Sequence, residues 1–290
     1  MQTLCCKVCR FCDDTGGGEF LFIESNMLKR FRFVLVFICL AFVGRANAQF
    51  DDPKTLEVGF HAGTSYYIGD LNPQKHFGMP DLEFGGLARY NVNSRWTFRF
   101  DYTYANVKAS DEKIGWRPER GLGFRSTIHD FSLIAEFNFL EYYTGNPKRN
   151  CSPYIFGGLS GFLFTSYCTV DEAEAELKPL KTEGEDYSSM SFSIPFGLGV
   201  KLALSKHIAA TFEWRLQKTF TDYLDDCGTV YPEQHAIGED DFDYSDPTEI
   251  FLPGQQRGNS AFKDWFCEAR VSFTWKFNLP DGRGCNLSKF

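Results

Sequence analysis

The closing stretch of the chain, Trp265–Phe277, is the feature that most constrains the fold. Every second residue from Trp265 is apolar, whereas the residues between them from Glu268 onward are charged or hydroxylic. This period of two predicts a β-strand with one apolar and one polar face. The apolar face is long, aromatic at both ends, and no helix or second sheet is predicted to cover it. A barrel with lipid outside and a polar lumen inside satisfies both faces, and it leaves no open edge once the last strand pairs with the first.

Seven further stretches upstream are predicted to be strands, and six of them repeat this alternation. The third, Arg95–Ala105, is the clearest, because Trp96, Phe98, Phe100, Tyr102 and Tyr104 alternate with polar residues. The stretch Pro153–Phe164 is apolar on both faces, so its orientation is left open. The eight predicted strands are Leu56–Ile68, Leu82–Tyr90, Arg95–Ala105, Asp130–Phe139, Pro153–Phe164, Met190–Leu202, Ile208–Gln217 and Trp265–Phe277.

The connections between the predicted strands alternate in length. Tight reversals at Asn91–Ser94 and Ser205–His207 and a moderate turn at Glu141–Asn150 separate longer polar segments, of which 107–126, 167–187 and 222–263 are the longest. The sequence therefore predicts an all-β fold, an eight-stranded antiparallel transmembrane β-barrel with short periplasmic turns, long outer loops and both termini in the periplasm. The rival is a soluble eight-stranded barrel of the lipocalin kind, which would turn its apolar residues inward; the broad aromatic rows argue against it.

The amino-terminal region predicts processing. Lys29, Arg30 and Arg32 precede the apolar run 33–43, and Ala46-Asn47-Ala48 follows it, so we expect a signal peptide over 27–48 that is cleaved between Ala48 and Gln49. The run is too short to span a bilayer as a helix, which disfavours the alternative of a retained anchor. Residues 1–26 hold four closely spaced cysteines. We interpret this segment as an extension that results from a misplaced start codon, and we expect no metal site in it. Residues 49–278 form the predicted barrel, and 279–290 a periplasmic tail.

Composition limits the partners of this barrel. Aromatic residues make up 17% of the chain, including 31 Phe, yet the mean hydropathy is negative at −0.29. Both facts suit strands in which apolar and polar residues alternate. Removing 1–48 takes six of 30 basic and four of 38 acidic residues, which leaves 24 basic and 34 acidic residues and a net charge of −10. Outer-membrane lipid is an expected partner, and an acidic chain of this kind offers no surface for nucleic acid.

The polar faces of the strands predict a charged lumen. Eight strands enclose a space that side chains fill, so inward charges must neutralise one another and no general diffusion pore is expected. The role of this set is structural rather than catalytic. It comprises Arg99, Asp101, Glu136, Lys201, Glu213, Arg215, Glu268 and Arg270.

No enzyme, cofactor or metal motif is evident. Gly158-Leu159-Ser160-Gly161 lacks a full nucleophile elbow, and Gly197-Leu198-Gly199 places two glycines on an inward strand face rather than in a dinucleotide loop. The five histidines are scattered without ligand spacing. A small-molecule substrate is not evident either, although a lipid-modifying site at the rim stays open as a further alternative.

The cysteines downstream of residue 48 lie in an oxidising compartment if the barrel is exported. Cys168 and Cys227 fall in the predicted outer loops, and Cys151 and Cys285 fall on the periplasmic side, so one disulfide on each side is topologically possible. In the two-residue alternation of the last strand, Cys267 falls on the apolar face, so we expect its side chain to face lipid.

One stretch, Arg215–Asp226, contains the motif residues Thr221, Asp222, Tyr223, Asp225 and Asp226. The other stretches of interest are 68–72, 89–93, 152–158, 193–201, 257–260 and 263–265. Together these stretches resemble the PorG-like family, outer-membrane barrels associated with the type IX secretion system. The resemblance covers nearly the whole chain after residue 48, apart from Cys151 and Cys227, which stand where other residues are expected.

This resemblance implies a non-enzymatic barrel that associates with the periplasmic ring of a ring-forming lipoprotein and its partner, and that supports protein export. The competing hypothesis is an independent barrel, structural or adhesive, whose function lies in the outer loops. Polar residues that shape the exit from a strand would equally explain the motif at 221–226.

Overall fold

The computed structural model describes residues 54–170, 173–234, 236–238 and 242–279. The predicted cleavage site at Ala48 and Gln49, the acidic residues 239–241 and Cys285 lie outside these ranges. Among the described residues, no helix is both long enough and apolar enough to cross a membrane.

Nine strands form one sheet, and eight of them close into an antiparallel barrel. The strands are β1 (Thr55–Ile68), β2 (Asp81–Asn91), β3 (Trp96–Ser110), β4 (Gly123–Asn138), β5 (Cys151–Val170), β6 (Ala173–Glu176), β7 (Met190–Ala203), β8 (Ile208–Thr219) and β9 (Trp265–Asn278). The barrel closes where β9 pairs with β1, from Thr55 opposite Asn278 to Ile68 opposite Trp265. The short β6 pairs with the end of β5 and lies outside the closed circuit. The predicted eight-stranded barrel is confirmed.

Short turns and long loops lie at opposite ends of the barrel. At the short-turn end, the Asn93 side-chain oxygen accepts hydrogen bonds from the backbone N–H groups of Arg95 and Trp96, at 2.8 and 2.7 Å, and so fixes the β2–β3 reversal. At the long-loop end the connections carry two single-turn helices, α1 (Asp111–Ile114) and α2 (Leu177–Leu180), and a 3₁₀ turn at Pro118–Arg120.

The outer wall of the barrel is apolar and the interior is charged. Phe60 and Leu159 are 63% and 70% exposed on the wall, whereas Arg99 and Asp101 are buried inside. A soluble barrel would be destabilised by this arrangement, because its apolar rows would face water while its charges were desolvated. The fold is therefore that of a transmembrane barrel, with lipid in contact with the outer wall.

The alternation reverses towards the long-loop end. The inward residues Val107 on β3 and Ile128 on β4 are apolar and fully buried, and the outward residues Lys108 and Arg125 are charged. The strands thus extend beyond the lipid-facing band into a section with an apolar core and a polar exterior. The predicted connection 107–126 is wrong for this reason, since the structure confines it to the residues between Ser110 and Gly123. The predicted loop 167–187 likewise contains the end of β5, the strand β6 and helix α2.

Candidate functional site

Two buried polar assemblies define the chemistry of the barrel. The first is the lumen network, which contains all eight charged residues predicted from the sequence, each buried inside the barrel. Arg99 contacts Asp101 at 3.1 Å, Glu136 at 2.7 Å and Glu213 at 2.8 Å. Arg270 contacts Asp101 at 2.7 Å and Glu213 at 3.2 Å. Each arginine therefore bridges carboxylates from different strands, which ties the walls together across the lumen.

The remaining predicted members complete the lumen network. Glu268 lies 3.5 Å from Arg215 and also 3.5 Å from Arg270, and the Lys201 ammonium lies 2.5 Å from Glu136. The sequence reasoning missed further buried charges, among them Arg89 and Asp130. Arg89 lies 3.2 Å from Glu136, and Asp130 lies 3.2 Å from Arg215. Both have the inward phase of β2 and β4, so extending the same register to every charged residue would have identified them.

Aromatic rings from β5 fill the space beside the lumen network, and they settle the orientation of this strand. Tyr154 and Phe156 point inward, with the Lys201 ammonium 4.7 Å from the Tyr154 ring centroid and the Arg99 guanidinium carbon 5.2 Å from that of Phe156. Gly199 and Gly197 make room for these rings, because a Cβ at either position would lie 2.8 or 2.7 Å from a ring carbon. The two glycines therefore lie on the inward face of β7, as predicted.

Ser160, the serine of the incomplete elbow, belongs to the same interior. Its hydroxyl donates a hydrogen bond to Asp130 inside the barrel. In this position the serine is 3% exposed, and its partner is a carboxylate rather than a histidine.

The second assembly lies at the long-loop end, and we call it the loop cap; it is formed by the described residues of 69–80, 111–122, 173–189 and 220–264. The buried Arg120 joins three of its segments. Its guanidinium donates to both Asp111 oxygens, at 2.9 and 2.6 Å, to the Arg257 carbonyl at 2.8 Å and to the Asp70 carbonyl at 3.1 Å. One side chain thus holds the β1–β2, β3–β4 and β8–β9 connections together.

Arg257 attaches the remaining segment to the loop cap. Its guanidinium donates to Glu183 of the β5–β7 connection at 3.2 Å, to the Ser245 carbonyl at 3.1 Å and to the Asp226 carbonyl. Glu183 in turn accepts hydrogen bonds from the backbone N–H groups of Gly228 and Thr229, at 3.0 and 3.1 Å. All four long connections are therefore tied together by two buried arginines.

A cluster of carboxyl groups surrounds the hydroxyl of Tyr67 beneath these arginines. The hydroxyl oxygen lies 2.5 Å from an Asp225 oxygen and 2.7 Å from an Asp264 oxygen, and it accepts the Asp70 N–H at 2.9 Å. A phenol carries one proton and can donate to one carboxylate only. The other carboxyl group must carry its own proton, and burial accordingly raises the pKa of both Asp225 and Asp264 well above the usual range.

The motif residues at 221–226 lie within the loop cap. The Thr221 carbonyl accepts the Asp264 N–H at 3.2 Å, Tyr223 stacks on Tyr187 with ring centroids 4.7 Å apart, and Asp226 has a φ of 59°. Asp70, Asp264 and Arg257, from three other stretches of the resemblance, meet them here. Four stretches distant in sequence therefore converge on one buried assembly at the long-loop end.

We expect the loop cap to loosen as the pH rises. Desolvation raises the pKa of Asp222 to about 6 and raises the pKa values of Asp225 and Asp264 well above their usual range. Because these folded-state values exceed the unfolded ones, the associated stability is complete below about pH 4 and is lost as the pH rises through each folded-state pKa. Cleavage of the cap by an added protease, corrected for the protease's own pH profile on an unfolded substrate, should become faster as the pH rises from about 4 through about 6, the pKa of Asp222.

The matched variant for this test is Asp225→Asn, which removes one buried carboxyl group. Its cleavage should depend less on pH than that of the wild type, although Asp70, Glu183, Arg120 and Arg257 still face the cluster. Parallel pH profiles for the two proteins would contradict the assignment.

Among the cysteines that the structure describes, Cys151, Cys227 and Cys267 are free thiols. Because Cys227 is free, the disulfide that the sequence left possible between Cys168 and Cys227 is not formed here, although both side chains contact the same apolar cluster. Cys267 has the outward phase, yet it is fully buried on the wall beside Tyr66 rather than facing lipid, which corrects the prediction.

Thiol labelling distinguishes these sites. Burial raises the pKa of the Cys227 thiol well above its usual range, whereas Cys151 is exposed. A maleimide added to the folded protein should modify Cys151 within minutes and leave Cys227 unmodified until denaturant is added. The sites are identified by mass spectrometry of peptides, and rapid labelling of Cys227 in the folded protein would contradict its placement.

One group in the loop cap resembles a metal-ligand set. Asp70, Asp225 and Cys227 bring one potential ligand atom each within 4.8 Å of one another. Their atoms already have hydrogen-bond partners: the Asn259 N–H donates to Asp70 at 2.6 Å, and an Arg120 nitrogen lies 3.9 Å from the Cys227 sulfur. An adjacent guanidinium takes the place that a cation would need, so this group is explained by the hydrogen bonding of the cap.

Solved structures share the barrel at low similarity. Neisserial surface protein A is 13% identical with a TM-score of 0.39, and the alignment covers 77% of this chain and 97% of that one. For OprG from Pseudomonas aeruginosa the identity is 12%, the TM-score 0.38 and the coverage 79% and 97%. For the amino-terminal barrel of OprF, also from Pseudomonas aeruginosa, the values are 11%, 0.35, 78% and 98%. Likenesses this distant do not bear on function, and the barrel is established here by its own strand pairing.

Family membership comes from a sequence-family model. No curated protein matches the chain significantly. The model of a domain of unknown function, DUF6089, matches residues 29–238, which is more than half of the chain and includes the strands β1–β8. The chain therefore belongs to the DUF6089 family.

Proposed function

We propose that this protein is a non-enzymatic barrel of the Gram-negative outer membrane that acts by binding other proteins rather than by conducting solutes. The observation that carries the proposal is the lumen network. Arg99, Arg215 and Arg270 are buried among carboxylates from several strands, and the rings of Tyr154 and Phe156 occupy the space beside them. A barrel filled in this way offers no wide aqueous path, so its function resides at its two ends.

More specifically, we propose that the protein is a component of the type IX secretion system. The resemblance to the PorG-like family supports this, and it implies that a ring-forming lipoprotein and its partner bind at the periplasmic rim. With the long loops outside, the short-turn end and both termini face the periplasm, and the connection between β4 and β5 presents Glu141, Lys148 and Arg149 there. The motif at 221–226 would then stabilise the outer cap and would not touch the ring.

A gentle-detergent pull-down of the tagged protein from native outer membranes tests this form. Recovery of a ring-forming lipoprotein in near-stoichiometric amount is the expected result. A charge reversal at the exposed Lys148 (Lys148→Glu) should reduce that recovery several-fold, whereas the matched reversal at the exposed Lys113 of α1 (Lys113→Glu) should not. Equal effects of the two variants, or a barrel recovered alone, would remove the secretion assignment.

Absence of conductance is the second expected result. The purified barrel inserted into a planar lipid bilayer should give no stepwise current, because ions would have to cross the paired charges of the lumen. A barrel treated identically but known to form pores serves as the control. Regular current steps at low voltage would contradict a filled lumen.

The alternative function is an independent adhesive barrel, and one observation favours it. The β8–β9 connection exposes apolar side chains on the loop cap, with Ile237, Ile250 and Leu252 each more than 60% exposed. Apolar side chains exposed on a loop offer area that a partner protein could remove from water. If the pull-down recovers the barrel alone, replacing these three residues by serine and measuring attachment of cells to surfaces tests the adhesive role.

A further inference from the structure

A cleft of about 510 Å³ lies where the barrel seam emerges at the long-loop end. Its floor includes Ile68 and Trp265, the last paired residues of β1 and β9, and its walls come from three connections. Trp116 and Arg117 belong to the β3–β4 connection, whereas Phe262 and Lys263 belong to the β8–β9 connection. Loops tied together by Arg120 and Arg257 therefore give this cleft a fixed shape.

The cleft lies at the boundary of the lipid-facing band. The outward row of β9 runs from Phe277 at the short-turn end to Trp265 beside the cleft. At ~3.3 Å per residue and a tilt of ~40°, this row spans roughly 30 Å along the barrel axis, slightly more than the ~25 Å apolar band of such barrels. Trp265 thus occupies the position of an interfacial aromatic residue, and the cleft opens just above it.

The rim of the cleft combines ammonium groups with aromatic faces. The exposed Lys218 on β8 holds its nitrogen 5.8 Å from the Trp265 ring centroid, and within the described part of the chain it has no carboxylate partner. Lys263 lines the cleft with Trp265 and is 3.2 Å from Asp222, with 41% of its own side chain still exposed. Phe262 is 74% exposed and Trp116 is 49% exposed. An overall acidic chain thus presents a local basic and aromatic site at the membrane surface.

We propose that this cleft binds the phosphorylated sugar head group of an outer-leaflet glycolipid. The inference rests on the proposed outer-membrane location. Lys218 and Lys263 would contact the phosphate, and the rings of Trp265 and Trp116 would pack on the sugar, whose axial C–H groups stack well on indole. The acyl chains would continue down the apolar wall formed by Phe212 and Phe273, which are 51% and 42% exposed. This continuity with the lipid-facing wall favours a lipid over a soluble anion.

The test is a lipid titration of the purified full-length barrel in detergent micelles, read by native mass spectrometry. The probes are lipid A carrying its phosphate and the same lipid after enzymatic removal of the phosphate. The site variant is Lys218→Gln with Lys263→Gln. The control is Lys54→Gln with Lys206→Gln, two exposed lysines at the short-turn end.

We expect the site variant to bind phosphorylated lipid A about tenfold more weakly than the wild type, and the control to match the wild type. The wild type should bind the dephosphorylated lipid as weakly as the site variant does. Equal binding of both lipids, equal affinities of all three proteins, or displacement of the lipid by tens of millimolar inorganic phosphate would overturn the inference.

A separate readout distinguishes failure of the cleft from failure of the membrane location. Each protein is run on a gel with and without heating and is tested for insertion into phospholipid vesicles. A heat-modifiable, vesicle-inserted barrel without lipid discrimination refutes the cleft alone. A chain that neither inserts nor shifts on heating refutes the proposed location and the inference with it.

Discussion

Replacing Arg99 by leucine is expected to lower the free energy of unfolding of the barrel by about 3–5 kcal/mol. Arg99 is 2% exposed and lies within 3.1 Å of three carboxylates, those of Asp101, Glu136 and Glu213. Leucine would leave these charges facing one another in a space that water barely reaches, and the cost of an unpaired buried charge exceeds the gain from the apolar side chain. Urea unfolding of the barrel in lipid vesicles, followed by tryptophan fluorescence, measures the change.

Two further variants test whether charge, rather than volume, causes this loss. Arg149→Leu removes an arginine whose partner Glu141 lies 3.2 Å away in an exposed turn, and it should change the unfolding free energy by less than about 1 kcal/mol. Adding Glu213→Gln to Arg99→Leu removes one of the stranded charges and should restore about 1–2 kcal/mol. A double variant less stable than Arg99→Leu alone would contradict this account, because it would show that the remaining pair of Glu213 with Arg270, 3.2 Å away, stabilises the barrel more than the uncompensated charge destabilises it.

The members of the lumen network were predictable because the face on which a strand residue lies follows from its position in the local alternation. The two-residue period of a strand and the requirement for lipid on one side assign every residue to a face, as on β3, where Phe98 points out and Arg99 in. The pairing of individual charges was not predictable. It depends on the shear of the closed barrel, which brings Asp101 of β3 next to Arg270 of β9 although the two strands are not neighbours.

The loop cap was missed because it follows different rules. Beyond the lipid-facing band water surrounds the barrel, so apolar residues such as Val107 and Ile128 turn inward and the strand pattern changes sign. Because the sequence pattern was interpreted with lipid on the apolar face throughout, the reversal of the alternation was taken as the end of a strand. The same limit explains Cys267, whose phase is outward but whose thiol lies beside Tyr66 on the wall. Arg120 gave no sequence signal, and only the family resemblance marked Arg257, since a buried arginine in a connection looks like any surface arginine until its partners are known.

Replacing Arg257 by alanine is expected to open the loop cap while the barrel stays folded. Arg257 is 3% exposed and donates hydrogen bonds to Glu183 and to the carbonyl groups of Ser245 and Asp226. Alanine would leave the Glu183 carboxylate without its cation and these carbonyl groups without their donor, which costs about 3 kcal/mol or more. Because cleavage by a protease follows the population of the open form, the rate of cleavage within 220–264 should rise about 100-fold.

The contrast with an exposed arginine makes this result specific. Arg117 lies in the same cap, with its side chain 34% exposed and 3.3 Å from Glu119, so Arg117→Ala should change the cleavage rate by less than about fivefold. Both variants should remain heat-modifiable on gels, because the lumen network holds the barrel independently of the cap. If Arg257→Ala also abolished heat modifiability, the cap and the barrel would be one cooperative unit, and residues 221–226 would stabilise the whole fold. If it left cleavage unchanged, the cap would be held by Arg120 and the apolar core alone.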